Sequence, residues 1–422
     1  MEEAEQGLAQ VPSTASQPPL KSGSQPPLDD QGSGSVLAAM SPAGEPQLPQ
    51  PEAVDSSIVN LRAQTLHEDM DAKNARRTVY LHVGMHKTAT TYIQNKLRKN
   101  TSLLQANGIV YPPLRKEHLA LVKATKDQDF APWLAWLEQA RTHDAHLLVS
   151  AEALSIEMAK PSALASNQTV GAWLCQVLQD QDFDVRLIAF VRDQPSYLNS
   201  RYTQLVKRLH TTSSFGQYVH RVIKGGTESE CDMMSLFGWT FETNGLESTF
   251  VPFGATVTSS ESTPSQRPDP FEQLQSLLPL TSGLQFAAAP SSSANQQPGQ
   301  LGVRLARRTG RYLQRHHPDV IAQESCRSAV RDQIERWSDR KQWQKSPFNG
   351  LTPELWDKIR HRYAQTNDTF ACAAWGSQMR WSSFFADLRP SVDASQESDH
   401  KKQSLKPLFG RLLEQLNLPK KA

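Results

Sequence analysis

The chain has 422 residues, with Lys+Arg 45 against Asp+Glu 43, and its net charge of +2 gives no sign of a nucleic-acid binder. Its cysteines, Cys175, Cys231, Cys326 and Cys372, are widely separated, with no C-x-x-C pair and no histidine at ligand spacing, so buried free thiols are expected rather than a disulfide framework or a zinc site. No run reaches the roughly 18 apolar residues needed to cross a bilayer, and the acidic opening MEEAEQGL lacks the apolar core of a secretory signal; a cytoplasmic protein without a transmembrane segment is expected.

Residues 1–75 hold the duplicated run QPPL at 17–20 and 25–28 among scattered Ser, Gly and Gln, with no sustained apolar period. Such a tract cannot bury enough apolar surface to offset its ordering entropy, so a disordered arm is expected. Residues 76–390 read as one α/β domain. Short apolar runs at Val79–Val83, Leu147–Ser150, Val185–Val191 and Thr249–Phe253 predict strands, and helical patterns lie around 90–106, 162–180, 196–209 and 268–278. That alternation predicts a central parallel sheet flanked by helices, a three-layer sandwich with ligands at the carboxyl ends of its strands. A Ser/Thr/Pro-rich stretch over 255–300 reads as surface loop interrupted by one short helix. Further helices are expected near 301–316, 318–337 and 353–366, with Trp337, Trp343, Trp375 and Trp381 in the core. The tail, 391–422, is charged and carries a short amphipathic helix over 404–417 that docks on the surface or makes weak membrane contact.

The first strand leads into VGMHKTATTYIQ, residues 83–94. Gly84 turns the chain, and Lys87, Thr88, Thr90 and Thr91 crowd the point where a helix begins. A helix N-terminus offers backbone N–H groups and a positive dipole end, so this is a candidate anion site; the alternative is a threonine-capped helix start. The Walker spacing is missing, because His86 precedes Lys87 and the only loop glycine lies three residues before the lysine, which disfavours an ATPase, a GTPase or a small-molecule kinase. A second candidate anion site follows the Val185–Val191 strand, where Arg192 stands at the strand end and Ser200 on the second turn of the next helix. Its alternative is a surface pair of Arg192 with Asp193 or Asp182.

A Lys/Thr loop after the first strand and an Arg with a Ser eight residues on, after a later strand, resemble the paired phosphate sites of the sulfotransferases that use 3′-phosphoadenosine-5′-phosphosulfate (PAPS). The family loop reads roughly P-K-[ST]-G-T-[TS], and the loop here is most similar to a bacterial sulfotransferase-like branch reading GMHKTGTTSIQ. Leu147–Leu154 resembles that branch's second-strand S-x-E segment, and Leu198–Gln204 its L-x-S-x-Y-x-Q. The resemblance spans about residues 76–385 and implies a P-loop sulfotransferase-like fold. It implies that Gly84, Lys87, Thr88, Ala89, Thr90 and Thr91 hold the donor's 5′-phosphosulfate and that Arg192 and Ser200 hold its 3′-phosphate, with no metal. The family's loop glycine is Ala89 here, and a positive φ at that position would cost an alanine of order 1 kcal/mol.

Sulfuryl transfer asks for in-line placement, neutralisation of the leaving group and a base for the acceptor. Lys87 suits the second task. Glu152, His86 and His118 are the candidate bases, Glu152 because it follows the second strand and faces the same crevice, His118 because it follows the Tyr111–Pro113 turn. Ser150 is placed to orient a neighbour. The acceptor is left open among a carbohydrate, a lipid and a small metabolite, and so is the oligomeric state. Two other classes compete: a non-catalytic module that binds an adenosine bisphosphate, and a scaffold recruiting partners through the N-terminal arm.

Overall fold

The computed structural model describes residues 76–225, 229–254, 268–288, 298–385 and 405–418. The expected arm, most of the Ser/Pro-rich stretch and the boundary expected at residue 390 lie outside them.

In chain order the elements are β1 (Arg77–His82), α1 (Thr90–Lys99), α2 (Thr101–Ala106), β2 (Ile109–Val110), α3 (Arg115–Asp127), α4 (Ala131–Thr142), β3 (His146–Ser150), α5 (Leu154–Met158), α6 (Val170–Gln179) and β4 (Phe183–Val191). Then follow α7 (Gln194–Lys207), α8 (Phe215–Gly225), α9 (Met233–Phe237), β5 (Leu246–Pro252), α10 (Pro270–Gln275), α11 (Gly299–His316), α12 (Pro318–Ala322), α13 (Glu324–Arg340), α14 (Pro353–Trp375), α15 (Trp381–Phe385) and α16 (Lys406–Gln415). The strands form one all-parallel sheet in the order β2-β3-β1-β4-β5.

Both faces of the sheet are covered, and the side-chain alternation of the strands divides the core accordingly. Val79, Leu81, Leu147, Val149, Val185 and Leu187 point into the larger cluster, which α4, α6, α7 and α14 close. Tyr80, Leu148, Ile188 and Phe190 point the other way, onto Ile93, Leu97 and Leu104 of α1 and α2 and Phe271 and Leu274 of α10. Trp337, Trp343 and Trp381 are buried and Trp375 packs partly buried beside them. Cys175, Cys231 and Cys326 are buried free thiols, and Cys372 is a half-buried one.

Several boundaries differ from the pattern in the sequence, each for a local reason. The helix expected over 90–106 is two, because the Asn100 side chain bonds its own chain and a distant one: Nδ2 donates to Lys96 O (2.7 Å) and Ala287 O (3.0 Å). The helix expected from 162 begins only at Val170. Residues 161–169 close on themselves through a Pro161–Thr169 bridge, and Thr169 Oγ1 caps α6 by accepting from Ala172 N at 3.1 Å. The stretch 318–337 breaks at Gln323, which is extended (ψ 128°), whereas α14 runs on to Trp375 and stops at Gly376 with φ 120°. The tail helix docks: Phe409 lies edge-on to Tyr312 and beneath Arg308 of α11. Among the described residues no helix is long and apolar enough to cross a membrane.

Candidate active site

β1 is the central strand, and the loops after β1, β3 and β4 open side by side at the carboxyl edge of the sheet, where ligands of open α/β sheets collect. The β1 loop is held down on β4 by Val83 N to Ile188 O (3.0 Å) and Met85 N to Phe190 O (3.1 Å). At Gly84 it closes over buried His82. A Cβ there would stand at ordinary contact distance, 3.5 Å, from His82 Nε2 and more tightly, 3.2 Å, against Thr88 Oγ1, so a larger residue would press on the Thr88 hydroxyl that closes the loop. Two further loop residues are left-handed without being glycine: Lys87 with φ 72° and Ala89 with φ 61°. For Ala89 the conformation costs about 1–2 kcal/mol.

Ala89 is the N-cap of α1, and no side chain caps the helix. The threonines do not substitute for it. Thr88 Oγ1 donates instead to Met85 O at 2.6 Å and closes the loop; Thr90 is buried, and Thr91 is exposed. The first-turn N–H groups of a ten-residue helix therefore have neither intrahelical acceptors nor a capping oxygen, and they carry the positive end of its dipole into the crevice.

Beside this helix end, His86 lies between two carboxylates. Its Nδ1 is 2.9 Å from Glu152 Oε1 and its Nε2 is 3.7 Å from Oε1 of Glu230, a residue almost wholly buried on a short 3-10 turn, Ser229–Cys231. Burial works against the imidazolium, but the Glu152 hydrogen bond and the two carboxylate charges outweigh it, and the His86 pKa is raised. Burial likewise favours the neutral acid at Glu152. The His86 hydrogen bond and charge, with help from the nearby Thr90 hydroxyl and Lys87, reverse this and hold the carboxyl down at about 2. Thr90 Oγ1 itself makes no hydrogen bond of good geometry. Beneath the loop, His82 shares a 2.8 Å hydrogen bond between Nδ1 and Ser150 Oγ, so Ser150 orients His82. Burial pushes the His82 pKa down to about 4 and keeps the ring neutral, and its Nε2 has no hydrogen-bond partner.

Lys87 shares the crevice. Burial first, then the charges of Lys207, Arg201 and Arg208, bring its pKa down to about 8 against the pull of Glu152. Arg192 leaves the end of β4 and comes back to the loop, its Nη1 donating to Lys87 O at 2.7 Å while its guanidinium stands over the Phe253 ring. Asp193 faces away from solvent, 3.2 Å from Arg360 Nη1 and 3.1 Å from Trp381 Nε1. Ser200 is half-buried on the second turn of α7. His118 belongs elsewhere: it is buried on α3, hydrogen-bonded through Nε2 to Pro112 O at 2.8 Å and packed on Tyr111. The charges that act on it are Glu117 and Arg98, not those of the loop.

The structure thus gathers Gly84, His86, Lys87, Thr88, Ala89, Thr90, Glu152 and Arg192 about one helix N-terminus. Glu230, Arg201 and His82 join them without having been singled out in the sequence. Only His82 left a signal, as a histidine inside an otherwise apolar strand; Glu230 reaches His86 from a turn far along the chain. Among the described residues no group of three or more His, Cys, Asp or Glu side chains is arranged to hold a metal ion. No family model, curated protein or solved structure matches the chain.

Proposed function

We propose that the protein is a sulfotransferase that takes its sulfuryl group from PAPS and passes it to a hydroxyl or amine. The observation that carries this reading is the bare α1 N-terminus at Ala89, an uncapped helix end flanked by Lys87 and by Arg192. These residues fit a donor with phosphate at one end: first-turn amides and the Lys87 ammonium for the phosphosulfate, and an arginine for a second phosphate. Bound there, PAPS supplies an activated sulfuryl group, which passes to the acceptor oxygen or nitrogen as adenosine 3′,5′-bisphosphate departs. Lys87 neutralises the charge that develops on the leaving phosphate. Glu152, held ionised, is a weak base and acts by fixing Nδ1 of His86; His86 takes the proton released by the acceptor. Arg192 holds the loop through the Lys87 carbonyl as well as offering charge.

Calorimetry with adenosine 3′,5′-bisphosphate against ATP and AMP tests the reading, with Lys87→Ala and Arg192→Ala as variants. Selective binding of the bisphosphate, weakened in both variants, is expected, followed by transfer of labelled sulfate in an acceptor screen. Equal or absent binding would remove the sulfotransferase assignment. Selective binding without transfer to any acceptor would make the protein a bisphosphate-binding module instead.

A further inference from the structure

The near-neutral net charge conceals a strong separation of charge in space. From Gln194 to Gly225, through α7, the turn after it and α8, there is no Asp or Glu, while Arg201, Lys207, Arg208, Arg221 and Lys224 are all present. Helix α11 also lacks an acidic residue and bears Arg304, Arg307, Arg308, Arg311 and Arg315. These segments pack together. A Cβ on Gly310 would stand 2.7 Å from Thr212 Cγ2, and Thr212 Oγ1 donates to Gln314 Oε1 at 2.8 Å. Arg307 and Arg311 of α11 lie close enough to Tyr202 of α7 to act on its hydroxyl, and Arg201, Lys207 and Arg208 act in the same way on Lys87. Lys207 is matched by Glu335. The positive field therefore continues from the β1 loop along α7 to α11.

We propose that this face is the docking surface for an acidic oligosaccharide acceptor, a chain carrying repeated carboxylates whose reacting hydroxyl reaches His86 and Lys87. The proposal rests on the sulfotransferase reading for the word acceptor, and on the charge distribution for the surface. Guanidinium forks pair with carboxylates in two-pronged fashion, and a row of them suits an extended polyanion. The remaining polyanions fit less well. The exposed large apolar side chains, Tyr92, Leu114, Leu119, Leu134 and Leu164, all lie on other elements, whereas Tyr197, Tyr202 and Tyr218 are buried. Among the described residues of these segments Tyr312 is the one Phe, Tyr or Trp that is not buried, and it packs on His316, His317 and Phe409, so the face offers no row of exposed aromatics for unpaired bases and no apolar stripe to enter a bilayer. Ser200, Gln204 and Gln314, between the cations, are hydroxyl and amide groups of the kind that bond sugar hydroxyls.

The test is calorimetry of the full chain with an oligo-uronate, a neutral dextran oligosaccharide of equal length, oligo-uridylate RNA and phosphatidylserine vesicles, alongside adenosine 3′,5′-bisphosphate. Binding of the uronate and not of the dextran is expected, falling about tenfold or more between about 50 and about 200 mM salt. The double variant Arg311→Gln/Arg315→Gln, both residues exposed and neither among the charges that act on Lys87, should weaken uronate binding by about tenfold, by lost charge contacts, and leave the bisphosphate titration close to wild type. Uronate binding no tighter than dextran, insensitive to salt, or unchanged in the double variant would overturn the proposal; so would tighter binding of RNA or vesicles. The wild-type salt series decides even if the variant folds poorly. Uronate binding without bisphosphate binding would remove the donor reading and leave the polyanion surface standing.

Discussion

The guanidinium of Arg192 donates to the carbonyl oxygen of Lys87 at 2.7 Å, joining the end of β4 to the loop after β1 across 105 residues of chain. Because Lys87 is left-handed at φ 72°, its carbonyl is turned out of the regular helix pattern and needs a donor from outside. Arg192→Ala should therefore cost stability as well as anion affinity. A loss of about 1.5–3 kcal/mol is expected, the range for a hydrogen bond from a charged donor. Urea denaturation would show it as a lower midpoint at unchanged slope. A variant as stable as wild type but weak in bisphosphate binding would assign Arg192 to the ligand alone.

Ala89 carries a strain that one substitution relieves. Glycine reaches φ 61° without the Cβ clash, but a glycine also has more freedom to lose on folding, so Ala89→Gly should stabilise the protein by up to about 1 kcal/mol. Thermal denaturation checks the sign. Destabilisation would mean that the loop relaxes away from this conformation in solution.

His86 owes its raised pKa to Glu152 and Glu230, against burial. In Glu152→Gln the amide still occupies the place beside Nδ1 but brings no charge, so burial gains ground and the His86 pKa should fall. A proton NMR titration of the histidine Cε1–H signals reads this directly. Glu230→Gln should move it the same way, since its carboxylate stands 3.7 Å from Nε2. Titration curves that superimpose on wild type would remove both carboxylates as partners of the ring.

Lys87, with its pKa near 8, is an ammonium at neutral pH and loses its proton just above it. Affinity for an anion that needs this charge should be level below pH 8 and fall about tenfold per pH unit above it, as the protonated fraction does. Lys87→Arg, which stays charged, should flatten the profile while lowering the plateau. A wild-type profile level to pH 10 would mean that the anion does not rely on Lys87.

The parallel sheet was legible because strands buried on both faces read as near-continuous apolar runs, and Val79–Val83 and Val185–Val191 are such runs, interrupted by His82 and Arg186 alone. β2 was not, since two residues, Ile109 and Val110, make no pattern. The Lys87 loop was legible as a constellation of residue types at one turn, and Ala89 as the position where the conformation would be strained. What sequence could not supply was direction. The Met85 carbonyl and a ligand compete for the Thr88 hydroxyl, and only the backbone geometry sends that hydroxyl to Met85 O. His118 had the right chemistry, but Pro112 and Tyr111 hold it on α3. The charge separation was hidden for a different reason, because averaging over 422 residues cancels a basic face against acids placed elsewhere.

Asp193 makes stability depend on pH in the direction opposite to Glu152. Burial raises its pKa from 3.8 to about 6, with Arg360, the Trp381 indole and Arg192 only partly offsetting it. A raised carboxyl favours the folded state when protonated, so this contribution is complete below about pH 4 and is lost as pH rises through about 6. The shift corresponds to about 3 kcal/mol between the two ends of that window. Glu152, depressed to about 2, contributes above its unfolded value and loses that contribution as pH falls, so the two slopes run against each other in wild type. Asp193→Asn separates them. The amide oxygen still accepts from Arg360 Nη1 and Trp381 Nε1, and the proton-linked part disappears. Urea midpoints measured from pH 4 to pH 7 should show wild type losing ground to the variant as pH rises. Parallel curves would mean that Asp193 stays ionised across the window, with Arg360 compensating its burial in full.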